Sequence, residues 1–143
     1  MAFDRLSEQL AVVATIEPDA YASTTLTTDV FDMSTHHEAM FVIQVGENAG
    51  TVDFEVQEST ATGAGTNTTT AVAAITQLAA ADDDVQVIVT VRGEDMADGY
   101  RYLRGILTAS AATDAAVVAL ADRARYAPAS AGDLASVDEI VDA

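Results

Sequence analysis

The sequence predicts a mainly β fold: a small antiparallel β-sandwich or barrel of about six strands, with a short N-terminal helix or arm and an extended C-terminal tail. Three observations lead there. In "TVDFEVQEST", Val52, Phe54 and Val56 alternate with Asp53, Glu55 and Gln57, the period-two pattern of a half-buried strand. In "VQVIVTVR", Val85, Val87, Val89 and Val91 take one face, and Gln86, Ile88, Thr90 and Arg92 take the other. Short connectors rich in Gly, Asn and Asp separate such runs, and a chain of 143 residues has room for one sizeable core.

The chain divides into three regions: an N-terminal arm or helix over 1–21, a β domain over 22–127 and a C-terminal tail over 128–143. Phe3, Leu6, Leu10 and Val13 recur at helical spacing, and Pro18 ends that pattern. "ASTTLTTDVFDM", 22–33, is rich in Thr and reads as an extended edge segment. "AMFVIQVG", 39–46, is apolar on both faces, as a central strand is. With "GENAG" and the strand after it, it predicts a hairpin. "ATGAGTNTTT", 61–70, reads as an exposed loop. Residues 71–78 fit a short helix or a strand equally.

The valine strand then opens a second predicted hairpin, through the polar connector "GEDMADG" to "YRYLRGILTAS". Over 113–126 the alanines favour helix by propensity, yet the short spacing favours a strand that completes a meander with its predecessor. Pro128 and Gly132 break the last residues into a tail, with one helical turn at most around Val137–Val141.

Charge narrows the function. There are 23 acidic residues against 6 basic ones, a net of -17, and all six basic residues are arginine. That balance opposes nucleic acid or an anionic membrane as a partner. The missing lysine and abundant Asp, Ala and Thr fit a protein of concentrated salt, where self-repulsion is screened; an Arg-for-Lys bias from a GC-rich genome is the plainer alternative. Without cysteine there is no disulfide, thiolate ligand or thiol nucleophile. The longest apolar run near the start, Leu10–Ala14, is too short for a signal-peptide core or a membrane span, so a soluble protein made inside the cell is expected.

Each candidate site has a plain counter-reading. Asp82, Asp83 and Asp84 offer oxygens for Ca²⁺ or Mg²⁺, but neighbouring strand residues point to opposite faces and no glycine lies inside the run; they read as acids of a turn. His36, His37 and Glu38 resemble a metal-ligand cluster, but no second histidine-bearing segment completes a set, and a surface or interface pair is expected. No serine sits in a nucleophile motif, and a phosphate-binding loop of the lysine-containing type is impossible. The reading is therefore no enzyme, no metal and no cofactor. Arg101, Arg104, Arg123 and Arg125 gather most of the positive charge within a short span. They either balance carboxylates of their own domain or meet acidic faces of neighbouring subunits, where the guanidinium fork suits carboxylates.

From Phe41 onward, "FVIQVG", "TVDFEVQEST", "ITQLAAADDDVQVIVTVRGEDM", "GYRYLRGILTAS" and "RARYAPASAGDLASVDEIV" together resemble small structural proteins encoded among the head genes of tailed viruses. The most telling piece is Arg125-Tyr126-Ala127-Pro128 followed by "DLASVDEIV". The resemblance implies a capsid decoration or cement subunit in the virion head, assembled in the host cytoplasm. Its partners would be the major capsid protein and copies of itself, as a homo-oligomer and possibly a trimer. A head-tail connector, adaptor or tail component is the alternative, and a soluble cation-binding module or enzyme is the alternative of another class. The acidity departs from ordinary bacteriophage composition and points to a halophilic host. On this reading Phe3, Leu6 and Leu10 anchor the arm. Arg101, Arg104, Arg123 and Arg125 carry intersubunit contacts, and Tyr126 and Pro128 direct the tail.

Overall fold

A computed structural model describes residues 5–62, 69–122 and 129–141. Two antiparallel sheets pack face to face around one core. In chain order the elements are α1 (Leu6–Gln9), β1 (Leu10–Tyr21), β2 (Thr24–Thr27), β3 (Phe31–Asp32), β4 (Glu38–Asn48), β5 (Val52–Ser59), β6 (Thr69–Ala74), β7 (Val85–Arg92), β8 (Tyr102–Ala109) and β9 (Thr113–Asp122). The first sheet has the order β1-β9-β4-β7; the second has β2-β8-β5-β6, with β3 also on β8.

The pairs are nested in sequence. β1 pairs with β9, β2 and β3 with β8, β4 with β7, and β5 with β6. That is one long hairpin with its tip between β5 and β6, rolled so that β4 also meets β9 and β5 also meets β8. If β2 and β3 count as one broken strand, this is the eight-stranded jelly roll. The break is sealed by Thr28: its N–H donates to the Gly105 carbonyl at 2.9 Å, and its hydroxyl accepts from the Gly105 N–H at 2.8 Å.

Rolling explains where the sequence misleads. The predicted hairpins β4–β5 and β7–β8, and the predicted β8–β9 meander, do not form; each connection instead crosses from one sheet to the other. Two crossings lie side by side at one end. There the Ala49 N–H donates to the Ala112 carbonyl at 2.9 Å, and the Thr51 N–H to Ser110 Oγ at 2.7 Å. Gly50 is required: a Cβ would lie 2.4 Å from Ser110 Oγ. Buried Asn48 and Thr113 join beneath, with Thr113 Oγ1 donating to Asn48 Oδ1 at 3.0 Å.

The arm reading over 1–21 is corrected as well. Among the described residues of that region helix is confined to Leu6–Gln9, and Leu10–Tyr21 is a long edge strand that buries Ala11, Val13, Ala14 and Ile16. Pro18 sits in it without breaking it, because an edge strand has no partner for the missing N–H. Residues 69–74 are strand, and 113–122 form β9 despite the alanines. β9 lies between β1 and β4, and Ala115, Val117, Ala119 and Ala121 face inward. Hydrogen bonding on both edges outweighs a propensity worth a few tenths of a kcal/mol per residue. The centre holds Phe41 of the first sheet between Phe31 and Phe54 of the second, with ring centroids 5.9 and 5.7 Å away. Gly105 makes room for this stack; a Cβ there would lie 2.4 Å from Phe54 Cζ.

Candidate assembly surface

The two outer faces differ in chemistry. On the second sheet, outward residues pair as Asp53 with Thr108, Glu55 with Ile106 and Gln57 with Arg104. On the first, one row across all four strands runs Thr15, Val118, Val42, Ile88, and the next runs Val12, Leu120, Met40, Thr90. Charge on this face stands back from the middle, with Glu38, Arg92 and Asp122 towards one end and Asp84 and Asp114 towards the other. Among the described residues five large apolar side chains are exposed. Ile88 (61 %) and Val118 belong to this face, while Leu6 (73 %), Ile140 and Val141 (79 %) lie in the flanking segments before β1 and after residue 132. No member of that set lies on the second sheet.

The free edge of β1 is occupied. The 3-10 turn Ala129–Gly132 packs on β1 and buries Ala129. Asp133 Oδ1 then accepts from the Val12 N–H at 2.7 Å, and the Leu134 N–H donates to the Val12 carbonyl at 2.8 Å. The tail supplies both hydrogen bonds that a further strand would give Val12. Next to it Arg5 precedes α1 and donates its N–H to Glu8 Oε2 at 3.1 Å. Leu10 opens β1 half-buried. Phe3, Arg123, Arg125, Tyr126 and Pro128 lie outside the described residues.

Arg101 and Arg104 are engaged within their own chain. Arg101 Nε lies 2.8 and 2.9 Å from the two Asp32 oxygens, its Nη2 also reaches that carboxylate, and its guanidinium lies 5.4 Å from the Tyr102 ring centroid. The guanidinium hydrogen bond holds the Asp32 carboxyl down at about 2, against partial burial that would raise it. Arg104 donates through Nε and Nη2 to Gln57 Oε1 at 3.3 and 3.0 Å, and Gln57 in turn donates to Glu55. Any role between subunits would therefore use what these guanidinium groups have left.

The acidic run before β7 does turn work. Asp82 accepts from the Ala79 N–H at 2.7 Å, and Asp83 Oδ1 accepts from the Asn48 N–H at 2.8 Å. Asp84 adopts φ 55° and donates its N–H to the Gly46 carbonyl at 3.1 Å. An aspartate tolerates that left-handed conformation better than most residues. The histidine pair separates: His37 is exposed, but His36 is buried, with Nδ1 2.7 Å from the Asp122 carbonyl, so the expected surface or interface pair is corrected for His36. The Asp122 carboxylate accepts from the His37 and Glu38 N–H groups at 2.7 and 3.2 Å and so fixes the start of β4. Among the described residues no group of three or more His, Cys, Asp or Glu is placed to hold a metal ion, and no helix is long and apolar enough to cross a membrane.

Sequence reasoning misses three residues here. Glu58 is buried, and its carboxylate accepts from the Ala97 N–H at 2.9 Å, tying down the β7–β8 connector. Asp133 looks in the sequence like one more tail acid. Arg92 looks only like the end of an alternating strand, yet it is exposed and lies 3.7 Å from Glu38 and 3.5 Å from Glu94.

No protein-family model matches the chain, and no curated protein matches it in sequence. Solved structures match in fold. PBSX exported protein XepA superposes with a TM-score of 0.55 at 12 % identity, over 86 % of this chain and 39 % of that one. Infectious bursal disease virus Gx strain gives a TM-score of 0.41 at 11 % identity, over 85 % of this chain and 34 % of that one. The chain spans well under half of each of these chains, and at 12 % identity the likeness to XepA is one of fold alone.

Proposed function

We propose that the chain is a virion structural protein, a decoration or cement subunit on the head of a tailed virus of a halophilic host. The observation that carries this reading is the distribution of exposed apolar side chains. Ile88 and Val118 lie on one sheet face and Leu6, Ile140 and Val141 in the flanking segments, in a chain of net charge -17. A freely dissolved acidic protein has no use for apolar groups gathered on one face and beside the fold, whereas a subunit seated among neighbours does. The jelly roll supports the reading without deciding it, because the same sandwich also serves lectins and other proteins.

On this reading the first sheet's outer face and the flanking segments meet the major capsid protein and further copies of the chain. The polar second sheet faces solvent. Ordering loose segments costs about 1–2 kcal/mol per residue in backbone entropy, which repeated contacts across a symmetric shell offset. Function then resides in contacts, with no catalytic step and no cofactor.

Quantitative mass spectrometry of purified particles tests this. Hundreds of copies per particle support a decoration subunit. A ring-sized number, about six or twelve, would move the protein to the head-tail connector. Absence from purified particles overturns the reading altogether.

A further inference from the structure

Four strand edges border the two sheets, and three are guarded. β1 carries two register irregularities and is covered by Asp133 and Leu134. The β2–β3 edge is broken between Thr27 and Phe31, and β6 meets β5 through a register shift. β7 has none of these devices: its register with β4 runs unbroken from Val85 to Arg92, and it contains no proline and no acid. Among the described residues no strand pairs with its outer side. A long, regular, β-branched edge of this kind is a template for another strand.

The sequence of that edge is complementary to itself. In an antiparallel pair about a twofold axis, opposite residues share a sheet face only if their numbers sum to an even value. Centring the axis on Ile88 sets Ile88 against its own copy, Gln86 against Thr90, Val87 against Val89 and Val85 against Val91. It also sets exposed Arg92 against the partner subunit's exposed Asp84, twice. Centring on Val89 sets Arg92 against Gln86, and centring on Val87 sets it against Asp82, which is held in its own turn by the Ala79 N–H; either shift also separates the two isoleucines. In a chain with six basic residues, that coincidence selects both occupant and register.

We propose that β7 is a self-pairing edge. Two copies join antiparallel through β7 about a twofold axis at Ile88, which fuses their first sheets into one eight-stranded sheet with a continuous apolar outer face. This holds whether or not the protein belongs to a virion, and self-repulsion at net charge -17 makes the pairing tighten as salt rises.

The cysteine-free chain allows a direct test. Across such an axis the two Ile88 Cα atoms would lie about 4.5–5.5 Å apart, within disulfide range, whereas two Thr90 Cα atoms would lie about 13 Å apart. In molar salt under a mild oxidant, full-length Ile88→Cys should convert to a covalent dimer and Thr90→Cys should not. The double variant Gln86→Cys with Thr90→Cys should cross-link again. Both single sites are exposed, so folding is preserved, and circular dichroism checks it. Sedimentation supplies a second reading: Arg92→Asp should weaken the dimer about tenfold, and adding Asp84→Asn, which suits the left-handed backbone and removes the new repulsion, should recover part of the loss. A monomeric wild-type chain in brine, or Thr90→Cys cross-linking as fast as Ile88→Cys, overturns the proposal.

Discussion

β1 and β7 border the same sheet on opposite sides. β1 curves through two irregularities, accommodates Pro18, and has its Val12 backbone groups satisfied from residues 133 and 134. β7 is straight in register, built almost wholly of β-branched residues, and its outer groups meet no described strand. The two strands bury the same kind of surface inward, so the core does not distinguish them. What differs is which distant segment arrives at the edge, and that decides whether the edge closes the fold or remains available to another chain.

The largest effect tests the shared core. Gly105→Ala would press a methyl group into Phe54 and Phe41, and should cost about 3 kcal/mol in denaturant unfolding. Because both edges rest on that core, amide exchange should accelerate at β1 and β7 together. Acceleration at one edge alone would show that they do not share a cooperative unit.

Asn48→Ala should come next, at about 2 kcal/mol. Buried Asn48 donates from Nδ2 to the Ala79 carbonyl at 2.9 Å, and Thr113 donates to its Oδ1. The loss loosens the turn leading into β7, so exchange at Asp83 and Asp84 should quicken while Val12 stays protected. Asp133→Ala reverses the asymmetry. It should cost about 1 kcal/mol and raise exchange at the Val12 amide about fivefold, leaving β7 unchanged.

The smallest effect lies on the other sheet and serves as a baseline. Asp32 is held at about 2, below its ordinary 3.8, so the unfolded chain takes up this proton first as pH falls. The contribution of the Asp32–Arg101 pair is therefore complete above about pH 4 and is lost as pH falls from there towards 2. Arg101 is exposed, so solvent screens the pair and the effect should be the smallest of these. Melting of Arg101→Ala against wild type at pH 5 and pH 2.5 checks it, and neither edge should respond.

An Asp83→Ala variant does not separate a cation site from an ordinary turn. Removing that carboxylate strips the Asn48 N–H of its acceptor whether or not an ion binds. Chelator-dependent melting of the unaltered chain makes the distinction instead, and the hydrogen bonds of Asp82 and Asp83 lead us to expect none.

By itself the sequence determined that 52–59, 85–92 and 39–46 are strands, and for the first two which side chains face inward, because alternation with period two is a property of neighbouring residues; 39–46 is apolar on both faces, and only the structure chose Ala39, Phe41, Ile43 and Val45 for the interior. It also determined the acidic, lysine-free surface, which is composition alone. Strand partners were decided elsewhere. The turn-rich segments after β4, β7 and β8 look like hairpin loops, yet they cross between sheets, since a local pattern is the same on either side of a sandwich. The partner of β4 is fixed by β7 and β9, far along the chain, and the helical spacing of Leu6, Leu10 and Val13 yields to pairing with β9 for the same reason. Long-range closure likewise made Asp133 an edge cover and His36 an interior residue, and it left β7 as the border that nothing described covers.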